Sequence, residues 1–151
     1  MNVMTDPNAA RKAWLGLLAK APAPDVARRW AALDLKAPHQ VLRAPEIGGV
    51  MVRGRAGAIG EAFNLGEMTV TRASIKLGDG TVGHGYVQGR DKDHALHAAL
   101  IDALMQTDAA ERVRTVILTP LEASMTEKKS TRAAKAAATK VDFFTMVRGE
   151  D

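Results

Sequence analysis

Four arginines and one histidine are the residues of this chain whose chemistry best suits a binding site. Arg53, Arg55, Arg72 and Arg90 lie on or beside predicted strands, and His84 lies between two glycines that allow close approach of a ligand or another chain. A guanidinium group can form paired hydrogen bonds with a phosphate or a carboxylate. We therefore predict these five residues as candidates for binding a triphosphate. The alternatives are ordinary pairing with nearby acidic residues and, for the histidine, an exposed strand position.

A catalytic centre is not evident beside these candidates. The chain has no cysteine, which excludes a thiolate nucleophile. His94 and His97 lie three residues apart on a predicted helix, but a zinc site takes three or four ligands. We interpret the nearby Asp91, Asp93 and Asp102 as capping and surface residues. The sequence therefore predicts no catalytic residue, no metal site and no cofactor in this chain.

Three glycines match a phosphate-binding loop only loosely. Gly54, Gly57 and Gly60 do not have the GxGxxG spacing, and no GK[ST] follows them. We interpret them as glycines of a flexible loop. The alternative is a nest of backbone amides that faces a phosphate.

The length and composition are those of one small soluble domain. A chain of 151 residues with 46% hydrophobic and 25% charged residues is long enough to bury a core. No apolar run approaches the roughly 20 residues that a membrane-spanning helix needs, and the first residues lack the pattern of a secretion signal. We therefore expect a cytoplasmic protein that makes no membrane contact.

Two short helices are predicted at the N-terminus. Asp6-Pro7 is a favourable helix start, because aspartate can cap a helix and proline is tolerated in the first turn. The sequence APAP at 21–24 ends that helix. A second helix follows, with Val26, Trp30 and Leu33 at helical spacing. The pattern predicts a helical hairpin over 6–35.

An antiparallel sheet of about four strands is predicted over 39–88. Two short strands, 39–43 and 50–55, are separated by a turn that contains proline and glycine. The best strand is 68–77, whose apolar side changes part-way and therefore indicates a bulge or a strong twist. A Gly-Asp-Gly turn leads into a returning strand over 81–88.

An amphipathic helix over 91–106 is expected to cover this sheet, which would complete a compact α+β domain over 1–107. The segment 113–118 fits either a strand or a loop. A long helix is predicted from Thr119-Pro120 to about Thr139, and its apolar residues beyond Met125 are all alanine. Alanine buries little area, so we expect this helix to be weakly anchored within an arm over 108–151.

The last residues form an extended apolar tail. Its side chains suited to an interface are Val141, Phe143, Phe144, Met146 and Arg148. Exposed apolar segments of this size usually mark protein interfaces. We therefore predict that the tail docks on another subunit, and the alternative is a tail folded back onto its own sheet.

The net charge is +4, and the one concentrated basic patch is a run of residues near the C-terminus. Such a run is typical of a solvated helix face, and binding to nucleic acid is the alternative. No aromatic residue lies within the run to stack on bases, so we expect no nucleic acid partner. The run consists of Lys128, Lys129, Arg132, Lys135 and Lys140.

Two long segments of the chain resemble one known family. The segments TVTRASIKLGDGTVGHGYVQGRDKDHALHAALIDALMQ and VDFFTMVRGED resemble the PhnG family, which supplies one subunit of the bacterial carbon–phosphorus lyase core complex. The segments RKAWLGLLA and VLRAPEIGGVMVRGRAGAIGEAFNLGE also fit this family. The resemblance thus covers nearly the whole chain and is loosest in the final helix.

The resemblance implies an accessory subunit of a cytoplasmic assembly that acts in phosphonate catabolism under phosphate starvation, in which a PhnG chain is joined by subunits H, I and J. In that assembly, subunit I uses a phosphonate to displace adenine from ATP, which gives α-D-ribose 1-methylphosphonate 5-triphosphate. This step requires the PhnG chain together with subunits H and L. The resemblance thus implies that subunit I is the most intimate partner and that ATP is a substrate of the complex.

The resemblance implies that this chain is a required subunit of a multisubunit transferase but does not catalyse the reaction on its own. The residues alone leave two other functions open. One is a free-standing enzyme that binds phosphonates or nucleotides through the arginines and His84. The other is a nucleic-acid-binding module that uses the basic helix.

Overall fold

A computed structural model describes residues 6–55 and 60–140. Both predicted N-terminal helices are present, as α1 (Pro7–Lys20) and α2 (Ala23–Leu33). The Asp6 carboxylate caps α1 by accepting the backbone N–H of Asn8 at 2.9 Å, as the Asp-Pro pair predicts. The buried Leu18 of α1 and Val26 of α2 belong to one core. These helices therefore pack with the rest of the fold through their apolar faces.

Within the described residues, three antiparallel strands form one sheet in the order β1 (His39–Arg55), β2 (Ala62–Leu77) and β3 (Val82–Gln88). The α+β class is confirmed, but the count of about four strands is slightly too high. The predicted strands 39–43 and 50–55 are parts of the single long strand β1.

Bulges allow β1 to continue through the predicted turn. Arg43 pairs with Ser74 and Glu46 pairs with Arg72, so β1 has an extra residue beside Pro45. Because β1 is an edge strand, a proline without a backbone N–H is tolerated at a bulge there. The irregularity expected near this part of β2 is thus accommodated by extra residues in the facing strand.

Helix α3 (Lys92–Leu104) covers one face of the sheet, as predicted. It lies so close to β3 that a Cβ atom on Gly83 would clash with the carbonyl oxygen of Ala99. A Cβ atom on Gly85 would clash with the carbonyl oxygen of Ala95. The absence of a side chain at the two glycines beside His84 therefore allows the close packing of α3 on β3.

The segment 110–139 is helical, through α4 (Ala110–Val113), a π-helical turn (Arg114–Leu118) and α5 (Thr119–Thr139). The expectation of a strand or loop over 113–118 was wrong. Val113, Ile117 and Leu121 are four residues apart and are all buried, which is the spacing of one helical face.

Helix α5 begins and ends where the sequence predicts, and its outer part is exposed. Every residue over 126–140 is solvent-exposed, as expected for a helix whose apolar side chains there are all alanine. Like the other helices in the described part of the chain, α5 is not both long enough and apolar enough to cross a membrane.

The outer half of the β1–β2 hairpin extends beyond the third strand. Strand β3 pairs with β2 only over 70–76, so 48–55 and 62–69 form a two-stranded ribbon, here called the β1–β2 ribbon. None of its residues is buried. Met51, Phe63 and Leu65 are 57%, 45% and 62% exposed. A two-stranded hairpin alone is marginally stable in water, so this ribbon would gain stability from contact with a partner.

Candidate functional site

The face of the sheet opposite α3, here called the open face, carries two of the predicted site residues. Arg72 of β2 pairs with Tyr86 of β3, and Ser74 pairs with His84. Directly paired residues of antiparallel strands lie on the same face, so these four side chains are neighbours. The Oγ of Ser74 and the Nδ1 of His84 are joined by a hydrogen bond of 2.9 Å.

Glu46 holds two arginines beside this histidine. Its Oε2 lies 3.1 Å from Nη1 of Arg43 and 3.2 Å from Nη2 of Arg72. Hydrogen bonds from Arg43, and next from Arg72, lower the pKa of the Glu46 carboxyl. All three side chains are exposed, so the pairs add little stability. Arg43 and Arg72 thus lie around a depression of about 270 Å³ that His84 also lines.

Arg53, Arg55 and Arg90 lie away from this cluster. Arg53 follows Glu46 by seven positions along β1, a separation of about 23 Å at the rise of a strand. Arg55 is further out on the β1–β2 ribbon, and Arg90 follows the end of β3. The structure therefore brings together Arg72 and His84 of the five candidates, and Arg43 joins them.

Asp102 of α3 is a buried position that sequence reasoning missed, because we interpreted it as a capping or surface residue. Its exposure is 0%. One carboxylate oxygen accepts Nε of Arg11 at 3.1 Å and Nε1 of Trp14 at 2.8 Å. The other accepts Nη2 of Arg11 at 2.8 Å and the backbone N–H of His84 at 2.9 Å. A single carboxylate thus joins α1, α3 and β3.

The sequence carried a signal for this role. Asp102 lies within the run Leu100, Ile101, Ala103 and Leu104, where a surface residue of the helix is not expected. A carboxylate buried in such a run is almost always paired. The hydrogen bond that Arg11 donates to Asp102 raises the pKa of the Arg11 guanidinium, which stays charged.

A groove of about 510 Å³ lies between α1 and the open face. Arg11, Lys12 and Gly16 line it from α1, and His84 and Tyr86 line it from β3. Asp102 connects the two sides of the groove, because its carboxylate accepts hydrogen bonds from Arg11 of α1 and from the backbone N–H of His84 of β3. The groove is therefore built on a buried, hydrogen-bonded support.

The two histidines of α3 have structural roles. The Nε2 of His94 bonds to the carbonyl oxygen of Leu18 at 2.9 Å, and the ring of His97 stacks on Trp30 with centroids 5.9 Å apart. The buried Nδ1 of His97 has no hydrogen-bond partner in the described part of the chain. Over 6–55 and 60–140, no three histidine or acidic side chains converge to hold a metal.

We expect the stability of the fold to fall as the pH drops below about 6.5. Burial lowers the pKa of His94 and of His97 from the ordinary value of 6.5. The unfolded chain then binds more protons than the folded chain, so stability is fully present above pH 6.5 and is lost toward the lower folded pKa values. Urea denaturation at several pH values between 8 and 5 measures this loss.

The variant with His94→Gln and His97→Gln is the control for this pH dependence, because glutamine retains a side-chain donor without titrating. Its stability should be nearly constant over the same pH range. An equal loss of stability in the original chain and in this variant would assign the pH dependence to other groups.

Lys128, Lys129, Arg132 and Lys135 of the basic run lie on the exposed part of α5, and Lys140 follows its last residue. The Nζ of Lys128 lies 3.4 Å from the carboxylate of Asp25 on α2. The predicted interface tail, formed by Val141, Phe143, Phe144, Met146 and Arg148, lies outside the described residues.

Comparison with known proteins identifies the family. The family model described as "Phosphonate metabolism protein PhnG" matches residues 9–149. This chain belongs to the PhnG family. A relative from Rhizobium meliloti (strain 1021), "Alpha-D-ribose 1-methylphosphonate 5-triphosphate synthase subunit PhnG", is 44% identical over 143 residues, which are 95% of this chain and 92% of the relative. The PhnG family predicted from the two long segments is thus confirmed.

Proposed function

We propose that this PhnG-family chain is an accessory subunit of an α-D-ribose 1-methylphosphonate 5-triphosphate synthase. In this proposal it works in a cytoplasmic carbon–phosphorus lyase assembly with subunits H, I and J, and it contacts subunit I most closely. ATP is a substrate of the assembly, and a phosphonate displaces its adenine. The chain stabilises and shapes the subunit that performs this step.

The observation that carries the proposal is the β1–β2 ribbon of a PhnG-family chain. Its exposed Phe63 and Leu65 lie on one face of a segment that receives no cover from the other described residues. Side chains of this kind are common in the centres of protein interfaces. The exposed outer part of α5 is a second segment that extends from the core. Both are features of a subunit that is completed by its partners.

The open face supports a binding role better than a catalytic role. Ser74 and His84 are in hydrogen-bond contact, which is the first requirement for an activated serine. A third group that orients the histidine is also needed, and no acidic side chain bonds the His84 ring within 6–55 and 60–140. The exposed pair therefore does not form a catalytic triad in this chain.

The direct test is release of adenine from ATP and methylphosphonate by purified subunits H, I and L, with and without this chain. We expect adenine only when this chain is present. The control is the same mixture without the phosphonate, which reports simple hydrolysis of ATP. Adenine release at an equal rate without the chain would refute the accessory role.

A further inference from the structure

The direction of the groove follows from hydrogen bonds at its two ends. Arg11 and the backbone of His84 both bond to Asp102, near the C-terminal end of α3. Leu18, later in α1, bonds to His94 at the start of α3. Helix α1 therefore runs antiparallel to α3. Strand β3 also runs antiparallel to α3, since Gly83 lies against Ala99 while Gly85 lies against Ala95. Arg11 thus lies beside His84, and the later part of α1 lies beside Tyr86.

The end of the groove near Asp102 is polar and positively charged. Asn8, Arg11, Lys12 and His84 line it. Asp102 uses Nε and one N–H of Nη2 of Arg11, which leaves the remaining guanidinium N–H groups for a ligand. The Arg11 side chain is 31% exposed, so these donors are accessible. A guanidinium fixed in this way loses little freedom when it binds a phosphate.

The opposite end of the groove is apolar and has an aromatic wall. Leu15, Gly16 and Ala19 line it from α1, and the half-exposed ring of Tyr86 lines it from β3. A Cβ atom placed on Gly16 would meet no atom within 4 Å beyond its chain neighbours and the backbone of its own helix. The missing side chain of Gly16 therefore leaves open space for a flat apolar group beside the tyrosine ring.

We infer that this groove binds a nucleoside triphosphate, with the phosphates at Arg11, Lys12 and His84 and the base between Gly16 and Tyr86. An aromatic base joined to a polyanion has the same polarity as the groove, apolar at one end and charged at the other. Its volume of about 510 Å³ is within the range of small-molecule sites. This inference rests on the proposed function, because it assigns part of ATP recognition in the synthase to this chain.

The test is isothermal titration of the purified full-length chain with ATP, inorganic triphosphate and adenosine. We expect ATP to bind more tightly than either part alone. The Gly16→Trp variant should weaken the binding of ATP about tenfold, the effect of losing roughly 1.4 kcal/mol. Its affinity for inorganic triphosphate should be nearly unchanged. The Lys12→Gln variant should weaken the binding of ATP and the binding of inorganic triphosphate by similar factors, each about tenfold. It should leave the affinity for adenosine unchanged.

Ala13→Trp is the matched control, because Ala13 is an exposed residue of α1 that does not line the groove. This variant should bind ATP like the original chain. The inference is overturned if millimolar ATP produces no saturable binding to the folded chain. It is also overturned if Gly16→Trp and Ala13→Trp bind ATP equally well.

The experiments distinguish a wrong assignment of the ATP-binding groove from a wrong proposed function. If the chain does not bind ATP but adenine release still requires it, the groove assignment is wrong and the accessory role stands. If the chain binds ATP in the groove but adenine release does not require it, the binding site stands and the accessory role is wrong.

Discussion

Replacing Asp102 with alanine is expected to lower the free energy of unfolding by about 3 kcal/mol. The carboxylate is fully buried and accepts hydrogen bonds from Arg11, Trp14 and the backbone of His84. Its removal leaves these donors without their acceptor, including a charged guanidinium that is only partly exposed. Urea denaturation followed by circular dichroism measures the loss.

Asp108→Ala is the matched control, because Asp108 is an exposed aspartate in the loop that follows α3. An exposed charge away from special contacts changes stability by less than about 0.5 kcal/mol. A loss below about 1 kcal/mol for Asp102→Ala would mean that the four hydrogen bonds contribute little beyond solvation. It would also remove the reason to regard Arg11 as fixed at the groove.

Local signals in the sequence predicted most of the helices. Asp6 caps α1, Asp91 caps α3 by accepting the backbone N–H of His94 at 3.0 Å, and Pro120 lies in the first turn of α5, which continues directly from the π-helical turn. Caps and prolines act within one helical turn, so the sequence shows them directly. The continuity of β1 through Pro45 was not predictable in this way, because it depends on bulges opposite β2.

The candidate site was harder to predict, because strand register decides which side chains meet. The sequence identified Arg72 and His84 by residue type, and pairing across β2 and β3 places them on one face. The same residue types at Arg53 and Arg55 lie out on the β1–β2 ribbon. The groove depends on Asp102, whose partners on α1 are about 90 positions earlier. Such a distant contact is fixed by tertiary packing.

The β1–β2 ribbon is expected to hold this chain in its assembly, so charging its apolar face should abolish association. Phe63 and Leu65 lie two positions apart on β2, and the Leu65 side chain covers Gly54 in the facing strand. We expect Phe63→Asp with Leu65→Asp to weaken binding to subunit I by a hundredfold or more, since burying unpaired charges and losing two apolar anchors costs about 3 kcal/mol or more. Co-purification with tagged subunit I measures the loss.

The control is a variant that introduces two aspartates on the other face of the same strand. Ala62 and Asn64 pair with Arg55 and Arg53, so Ala62→Asp with Asn64→Asp places each new carboxylate opposite an arginine. This variant should still co-purify with subunit I, which would assign association to the face that bears Phe63. Equal retention of both variants would exclude this face as the contact. A chain that ends at residue 140 would then test the predicted tail, and its loss of binding would move the interface to 141–151.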